Sequence, residues 1–179
     1  LAASGGYYVA MAADRIVAEP TAMVGSVGVL MQTLNLAELS RKIGISDVTL
    51  TSGPNKDLLN PWRPVNPEHQ RILQELVDDS YRRFAAIVME ARGLPDTALL
   101  DGRILPASRA LEARLIDEVG YWPHAVAATA RLLGEDDVRV VRYFTRSGWT
   151  QLLTGVKMPL NLRGMLPSTQ PRLLYLWKP

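Results

Sequence analysis

Leu1-Ala2-Ala3-Ser4-Gly5-Gly6-Tyr7-Tyr8-Val9-Ala10-Met11-Ala12-Ala13 is the stretch from which the fold is read. Small residues lead into Ser4, two glycines follow, and the run to Ala13 suits a buried helix. Serine is a favoured helix N-cap because its hydroxyl accepts from the orphan N–H groups of the first turn. Those N–H groups and the helix dipole also favour negative charge beside the hydroxyl. An attacking serine needs such an environment when an ester or amide carbonyl becomes an oxyanion. Gly5 and Gly6 lack a Cβ, so a substrate backbone can come close. Two readings stand side by side: an ordinary capping serine, and a nucleophile.

Outward from this stretch, the pattern predicts short strands alternating with helices. Arg15–Ala18 reads as a buried strand stopped by Glu19-Pro20, and Ala22–Met31 as a second strand region containing Gly25 and Gly28. Ser26 is the hydroxyl in that run, either a satisfied core serine or a partner for something buried. Leu36, Leu39 and Ile43 have helical spacing and Gly44 suits a C-terminal cap. Asp47–Thr51 alternates as a strand does. Asn66 and Pro67 open a long helix that continues to about Arg92, with Ile72, Leu76, Phe84, Ile87 and Val88 on its apolar face. A short helix over Asp96–Leu100, a strand at Ile104-Leu105, helices over Pro106–Arg114 and Pro123–Leu133, and a strand over Val138–Phe144 complete the reading. Such alternation indicates an α/β fold with the long helix reaching out of its compact part.

The 179 residues are enough for one domain with a real core, and 47% hydrophobic against 21% charged residues is a globular balance. Cysteine is absent, which excludes disulfides and thiolate chemistry. His69 and His124 lie in separate segments without metal-ligand spacing. No apolar run reaches the ~18 residues needed to span a bilayer. The chain starts inside what reads as a core element, which predicts a preceding part. The net charge of +2 conceals an asymmetry. From Val138 onward there are seven basic residues and no acid, leaving 13 basic and 18 acidic residues before it. This divides the chain into a body over 1–137 and a basic, apolar extension over 138–179. Such an extension can face an anionic membrane or an acidic neighbour, or be a solvated tail. Nucleic acid is disfavoured, because the basic residues are dispersed and the body is acidic.

Lys56 sits in Ser52-Gly53-Pro54-Asn55-Lys56-Asp57, a stretch of turn formers. A lysine in a turn is ordinarily a solvated charge. A lysine desolvated in an apolar pocket instead loses affinity for its proton and can act as a general base. Neither histidine has an evident Asp or Asn partner in sequence, and Ser–Lys dyads are a known way to activate a serine.

Five blocks now fall into one pattern: Leu1–Tyr8, Val24-Gly25-Ser26-Val27-Gly28-Val29, Ser52–Asp57, Asp101-Gly102-Arg103 and Leu115–Gly120. In order and spacing they resemble the signal peptide peptidase A family, the S49 Ser–Lys serine peptidases. Ser4 and Lys56 lie 52 residues apart and Ser4 and Ser26 lie 22 apart, as in the single-domain form of that family. The resemblance covers about Leu1 to Leu133. The chain departs from it after Asp-Gly-Arg, where Leu105-Pro106-Ala107-Ser108 replaces a common glycine or tyrosine-glycine step.

The resemblance implies a Clp-protease/crotonase-like fold without its N-terminal strands. It implies Ser4 as nucleophile, Lys56 as general base, Ser26 as the residue that holds the lysine, and the Gly5 N–H as one oxyanion donor. A second donor comes, in the family, from a glycine upstream of the nucleophile. It implies no metal or organic cofactor. It further implies a homo-oligomer, an eight-subunit dome with dyads shared between neighbours. That dome is held by an N-terminal anchor at the extracytoplasmic face of the bacterial cytoplasmic membrane. The peptide substrates are remnant signal peptides. An extended peptide would lie along a strand edge, with Gly25 and Gly28 as candidate residues bordering it. The alternative is a catalytically silent scaffold or membrane-stress interaction protein on the same fold.

Overall fold

A computed structural model gives the architecture, and the structure describes residues 1–141. The chain divides into two compact units, the first taking in Leu1–Ala125 and the second starting at Val126. Among the described residues ten elements follow one another: β1 (Ala2–Ala3), α1 (Gly5–Ala10), β2 (Val17–Ala18), β3 (Met23–Gly25), α2 (Ala37–Lys42), α3 (Pro67–Arg92), β4 (Ile104–Pro106), α4 (Ala107–Glu112), β5 (Glu118–Val119) and α5 (Trp122–Leu133). The α/β class is as expected.

Two small sheets organise the first unit. β3 lies between β1 and β4, parallel to β1 with Ala2 opposite Val24, and antiparallel to β4 with Val24 opposite Leu105. β2 and β5 form a separate parallel pair. Parallel strands need a long crossover. The β1–β3 crossover carries α1 and β2, so Ser4 stands where β1 gives way to α1, beside the end of β3.

The core of this unit collects Tyr7, Val24, Val27, Phe84, Val88, Leu100, Leu115 and Ile116, all essentially inaccessible to solvent. Each such side chain contributes about 1.5–3 kcal/mol of burial free energy for the larger apolar residues. Tyr8 stacks obliquely on Phe84 with ring centroids 5.0 Å apart, so α1 packs against α3. The Tyr7 hydroxyl is buried and donates to the Leu115 carbonyl at 2.6 Å, which removes the cost of a stranded polar group. Burial pushes the Tyr7 phenol far above its ordinary value, so it remains a neutral donor.

α3 is bounded as its sequence predicts. The Asn66 side chain accepts from the Glu68 N–H, Pro67 fills the first helical position, and Gly93 closes the helix in a left-handed conformation. Of its expected apolar stripe Phe84 and Val88 are buried and Leu76 is exposed, while Leu73 and Ala85 are buried in addition. Positions 73, 77, 81, 84 and 88 are the ones aligned at helical spacing.

Other expectations fail locally. Asp47–Thr51 is not a strand. Val48 and Leu50 are 85% and 95% exposed, and the segment is tied down by side chains rather than by a ladder. Asp96–Leu100 is a turn, in which Asp96 accepts from the Ala98 N–H and competes with helix formation. In α2 the buried residue is Ser40, whose hydroxyl donates to the Ala37 carbonyl, while Leu39 and Ile43 face outward. Val138–Val141 has no regular structure, and the rest of the expected strand and basic extension lies outside the described residues. No helix among the described residues is long and apolar enough to cross a membrane.

Candidate active site

Ser4 is 2% exposed and occupies the N-cap position of α1. Its backbone has φ 53° and ψ −118°. A positive φ is costly for any residue with a Cβ, by about 1–3 kcal/mol, and persists only where the surroundings over-determine it. Here they do. The Ser4 N–H donates to the Gly25 carbonyl at 2.8 Å, and the Ser4 carbonyl accepts from the Tyr8 N–H at 2.9 Å. One bond pins the serine to β3 and the other to its own helix.

The expected capping hydrogen bond is absent: the Ser4 side chain makes no cap bond. The hydroxyl is thereby left for the cavity it faces. α1 is six residues, under two turns, so its macrodipole adds less than a full helix would. The Gly5 N–H, at the first position of α1, is one of the first-turn N–H groups with no partner inside the helix.

Ser26 repeats the strain. It has φ 52°, follows Gly25 at φ 106°, and donates its N–H to the Arg103 carbonyl at 2.7 Å. Ser4 and Ser26 line one open cavity of about 210 Å³ together with Gly28, Val29, Leu30, Asp101 and Gly102. The structure therefore brings together two of the three polar residues proposed from sequence. Gly28 also lines this cavity; Gly25 does not. A Cβ on Gly25 would stand 3.0 Å from the Arg103 carbonyl oxygen, so backbone packing alone demands glycine there.

Asp101 is a wall residue the sequence reading left without a role. Hydrogen bonds from the Arg103 side chain and backbone pull its carboxyl down to about 2, so it is ionised at neutral pH. The Asp-Gly-Arg block is the signal that could have found it. Its turn carries both the carboxylate and the Arg103 carbonyl that fixes Ser26.

Lys56 is elsewhere. It is exposed, in the turn that follows Gly53, and lines neither this cavity nor the larger one described next. Among the described residues its side chain makes no hydrogen bond or ion pair. The second cavity, about 880 Å³, runs between residues 29–35, the 54–66 connection and the first half of α3. On its wall, His69 donates from Nε2 to the Pro54 carbonyl at 2.9 Å. His124 accepts from the Tyr121 N–H at Nδ1, at 3.1 Å. Neither histidine lines the Ser4 cavity. No group of three or more His, Asp or Glu suited to a metal occurs among the described residues.

The sequence is similar to those of known proteins. The family model described as peptidase family S49 matches residues 1–135. A protein of Enterococcus faecium assigned as a signal peptide peptidase SppA is 32% identical over 97% of this chain and 51% of its own length. A protein of Synechocystis assigned as a protease is 40% identical over 78% of this chain and 52% of its own. The chloroplastic serine protease SPPA of Arabidopsis thaliana is 36% identical over 71% of this chain and 19% of its own. The chain thus spans about half the length of the first two relatives.

Proposed function

The chain belongs to peptidase family S49, and on that premise we propose that it carries the nucleophile and base of a Ser–Lys serine endopeptidase with a Clp-protease/crotonase-like fold. The observation that carries this reading is the geometry of Ser4. It is a buried serine with a positive φ, relieved of its capping bond, on the wall of a cavity shared with a second strained serine. Strain of this kind clusters at active sites.

In the proposed reaction the Lys56 amine takes the Ser4 hydroxyl proton as Oγ attacks the scissile carbonyl. The Gly5 N–H donates to the resulting oxyanion. Lys56 then gives the proton to the departing amine, and an acyl-serine ester remains. Water attacks that ester, Lys56 takes the water's proton, and returning it to Ser4 Oγ frees the acid product. Ser26 orients the lysine amine.

An amine outside the Ser4 cavity has to be delivered, and a second copy of the chain is the proposed source. Two observations support a homo-oligomer, which we take to be the eight-subunit dome. Lys56 is presented outward without a partner among the described residues. A run of apolar side chains, Leu34, Leu39, Ile43, Ile45, Val48 and Leu50, is left exposed in the single chain. Exposed apolar surface on that scale marks contact sites. The proposed substrates are remnant signal peptides at the extracytoplasmic face of the cytoplasmic membrane.

The test is active-site labelling of the full-length protein with a fluorophosphonate, read by intact mass. Wild type is expected to gain one adduct per chain, and Ser4→Ala and Lys56→Ala none. Labelling that survives in Ser4→Ala, or full turnover in Lys56→Ala, overturns the reading. No labelling of a well-assembled wild type points to the silent scaffold.

A further inference from the structure

Lys56 is unpaired among the described residues, yet the loop that carries it is held unusually well. Arg63 reaches across the connection with its whole guanidinium. Nε donates to Asp47 Oδ2 at 2.9 Å, Nη1 to Asp57 Oδ2 at 3.1 Å, and Nη2 to the Thr49 carbonyl at 3.4 Å. The Arg63 carbonyl in turn accepts from Asn35 Nδ2 at 2.8 Å. Asp47 also accepts from the Thr49 hydroxyl at 2.7 Å and from Asn60 Nδ2 at 3.2 Å. On the other side of Lys56, His69 holds the Pro54 carbonyl. The lysine therefore sits between two anchored residues, Pro54 and Asp57.

An ordinary surface ion pair contributes little, because solvent screens it and two long side chains must be ordered. This arrangement differs in two respects. The carboxylates of Asp47 and Asp57 are only 17% and 16% exposed, and one guanidinium serves both. A single ordered arginine bonding two shielded carboxylates forms a network rather than a pair. The Thr49 hydroxyl first, with Arg63 and Asn60, holds the Asp47 carboxyl below its ordinary value, so the network is charged at neutral pH. The second difference is strain. Leu59, three residues after Lys56, has φ 59°. A leucine there costs about 1–2 kcal/mol relative to an unstrained conformation. A turn that merely connected two segments would relax it.

We propose that Arg63 is a positioning residue: by joining Asp47 to Asp57 it fixes the loop on which Lys56 is presented, and so sets the approach of the lysine amine to the serine it deprotonates. The proposal rests on the Ser–Lys reading above. Arg63 touches neither reacting group; it acts through Asp57, the next residue after Lys56.

The experiment uses the full-length protein and a short apolar fluorogenic peptide. Arg63→Ala, Arg63→Lys, Asp57→Asn and Lys56→Ala are compared with Arg82→Ala, which removes an exposed arginine paired with Asp79 elsewhere on α3. Misplacing a catalytic group by about 1 Å costs up to about 100-fold. Arg63→Ala is therefore expected to lower kcat by about 10- to 100-fold with KM within about twofold of wild type. Fluorophosphonate labelling of Ser4 should slow in parallel. Arg63→Lys, which can keep one carboxylate contact but not the fork, should recover part of the loss, and Arg82→Ala should match wild type.

A folded Arg63→Ala protein with undiminished kcat overturns the proposal. So does a rise in KM alone, which would make Arg63 a substrate contact in the larger cavity. If Arg63→Ala does not fold, the near-isosteric Asp57→Asn decides by the same kcat criterion, with an expected loss of about threefold or more. Lys56→Ala separates the two levels of argument. If it retains turnover, the Ser–Lys reading itself fails. If it is inactive while Arg63→Ala is normal, only the positioning role fails.

Discussion

The two halves of the proposed dyad are held by opposite means. Ser4 is fixed from the inside: backbone bonds to Gly25 and Tyr8, a strained φ, and a core that includes Tyr7 and Val24 beneath it. Lys56 is fixed from the outside, by charged and polar side chains around an exposed turn. The buried arrangement is sensitive to volume, and the exposed one to the geometry of its charges. A nucleophile needs a hydrogen-bonding environment that solvent cannot disturb, whereas a delivered base needs reach. The difference follows from those two requirements.

Predictions that break or sharpen this contrast can be ranked. Largest is the loss of turnover in Ser4→Ala or Lys56→Ala, expected at about 10⁴-fold or more by analogy with other nucleophile–base pairs. The Arg63 series comes next and should change kcat with little change in Tm. Gly25→Ala should do the reverse in emphasis. Its Cβ would press on the Arg103 carbonyl at 3.0 Å with φ at 106°, so a loss of about 2–4 kcal/mol is expected in urea titration, with Ser26 displaced. Gly28→Ala, whose Cβ would meet Gly102 Cα at 3.4 Å and Gly102 N at 3.9 Å, should cost under about 1 kcal/mol. Equal effects at the two glycines would break the packing explanation.

Tyr7→Phe strands the Leu115 carbonyl in the core and should cost about 1–2 kcal/mol, measured by thermal unfolding, without altering the Lys56 loop. Smallest is a pH effect at Asp117. Desolvation is the largest influence on this carboxyl and pushes it up. The Arg92 guanidinium, bidentate at 2.9 and 3.0 Å, and the Ile16 N–H outweigh that and leave it below its ordinary value. A depressed carboxyl stabilises the fold above the unfolded value of about 4 and ceases to do so as pH falls through the folded value. Asp117→Asn should therefore lower Tm by about 2–4 °C at pH 7 and show a smaller difference from wild type near pH 3. A constant difference across that range would remove the ion pair from the account.

Much of this was legible in the residues. Asn66-Pro67 and Gly93 bound the long helix because capping chemistry is local. Ser4 and Ser26 stand out separately in the sequence, the second as a residue assigned to hold the lysine, and the fold places both on one cavity. What escaped was long-range. Asp47-Val48-Thr49 alternates like a strand, but a strand needs a neighbour, and the segment's partners are Arg63 and Asn60 side chains. Leu76 has the right chemistry for the α3 stripe and the wrong angle about the axis. The positive φ of Ser4 and Ser26 could not be read, since serine gives no conformational sign as glycine does. Arg63 carries no local signal of its role in the sequence; only folding brings both carboxylates to it.

The contact between His69 and Pro54 has a further consequence. A carbonyl oxygen only accepts, so the ring nitrogen facing it carries hydrogen whether the imidazole is neutral or cationic. Charging the ring adds a proton on the far nitrogen and leaves this bond standing. The brace thus depends on where the ring is packed and not on its charge. A histidine usually read as a sensor serves here as a structural tie on the loop that carries Lys56.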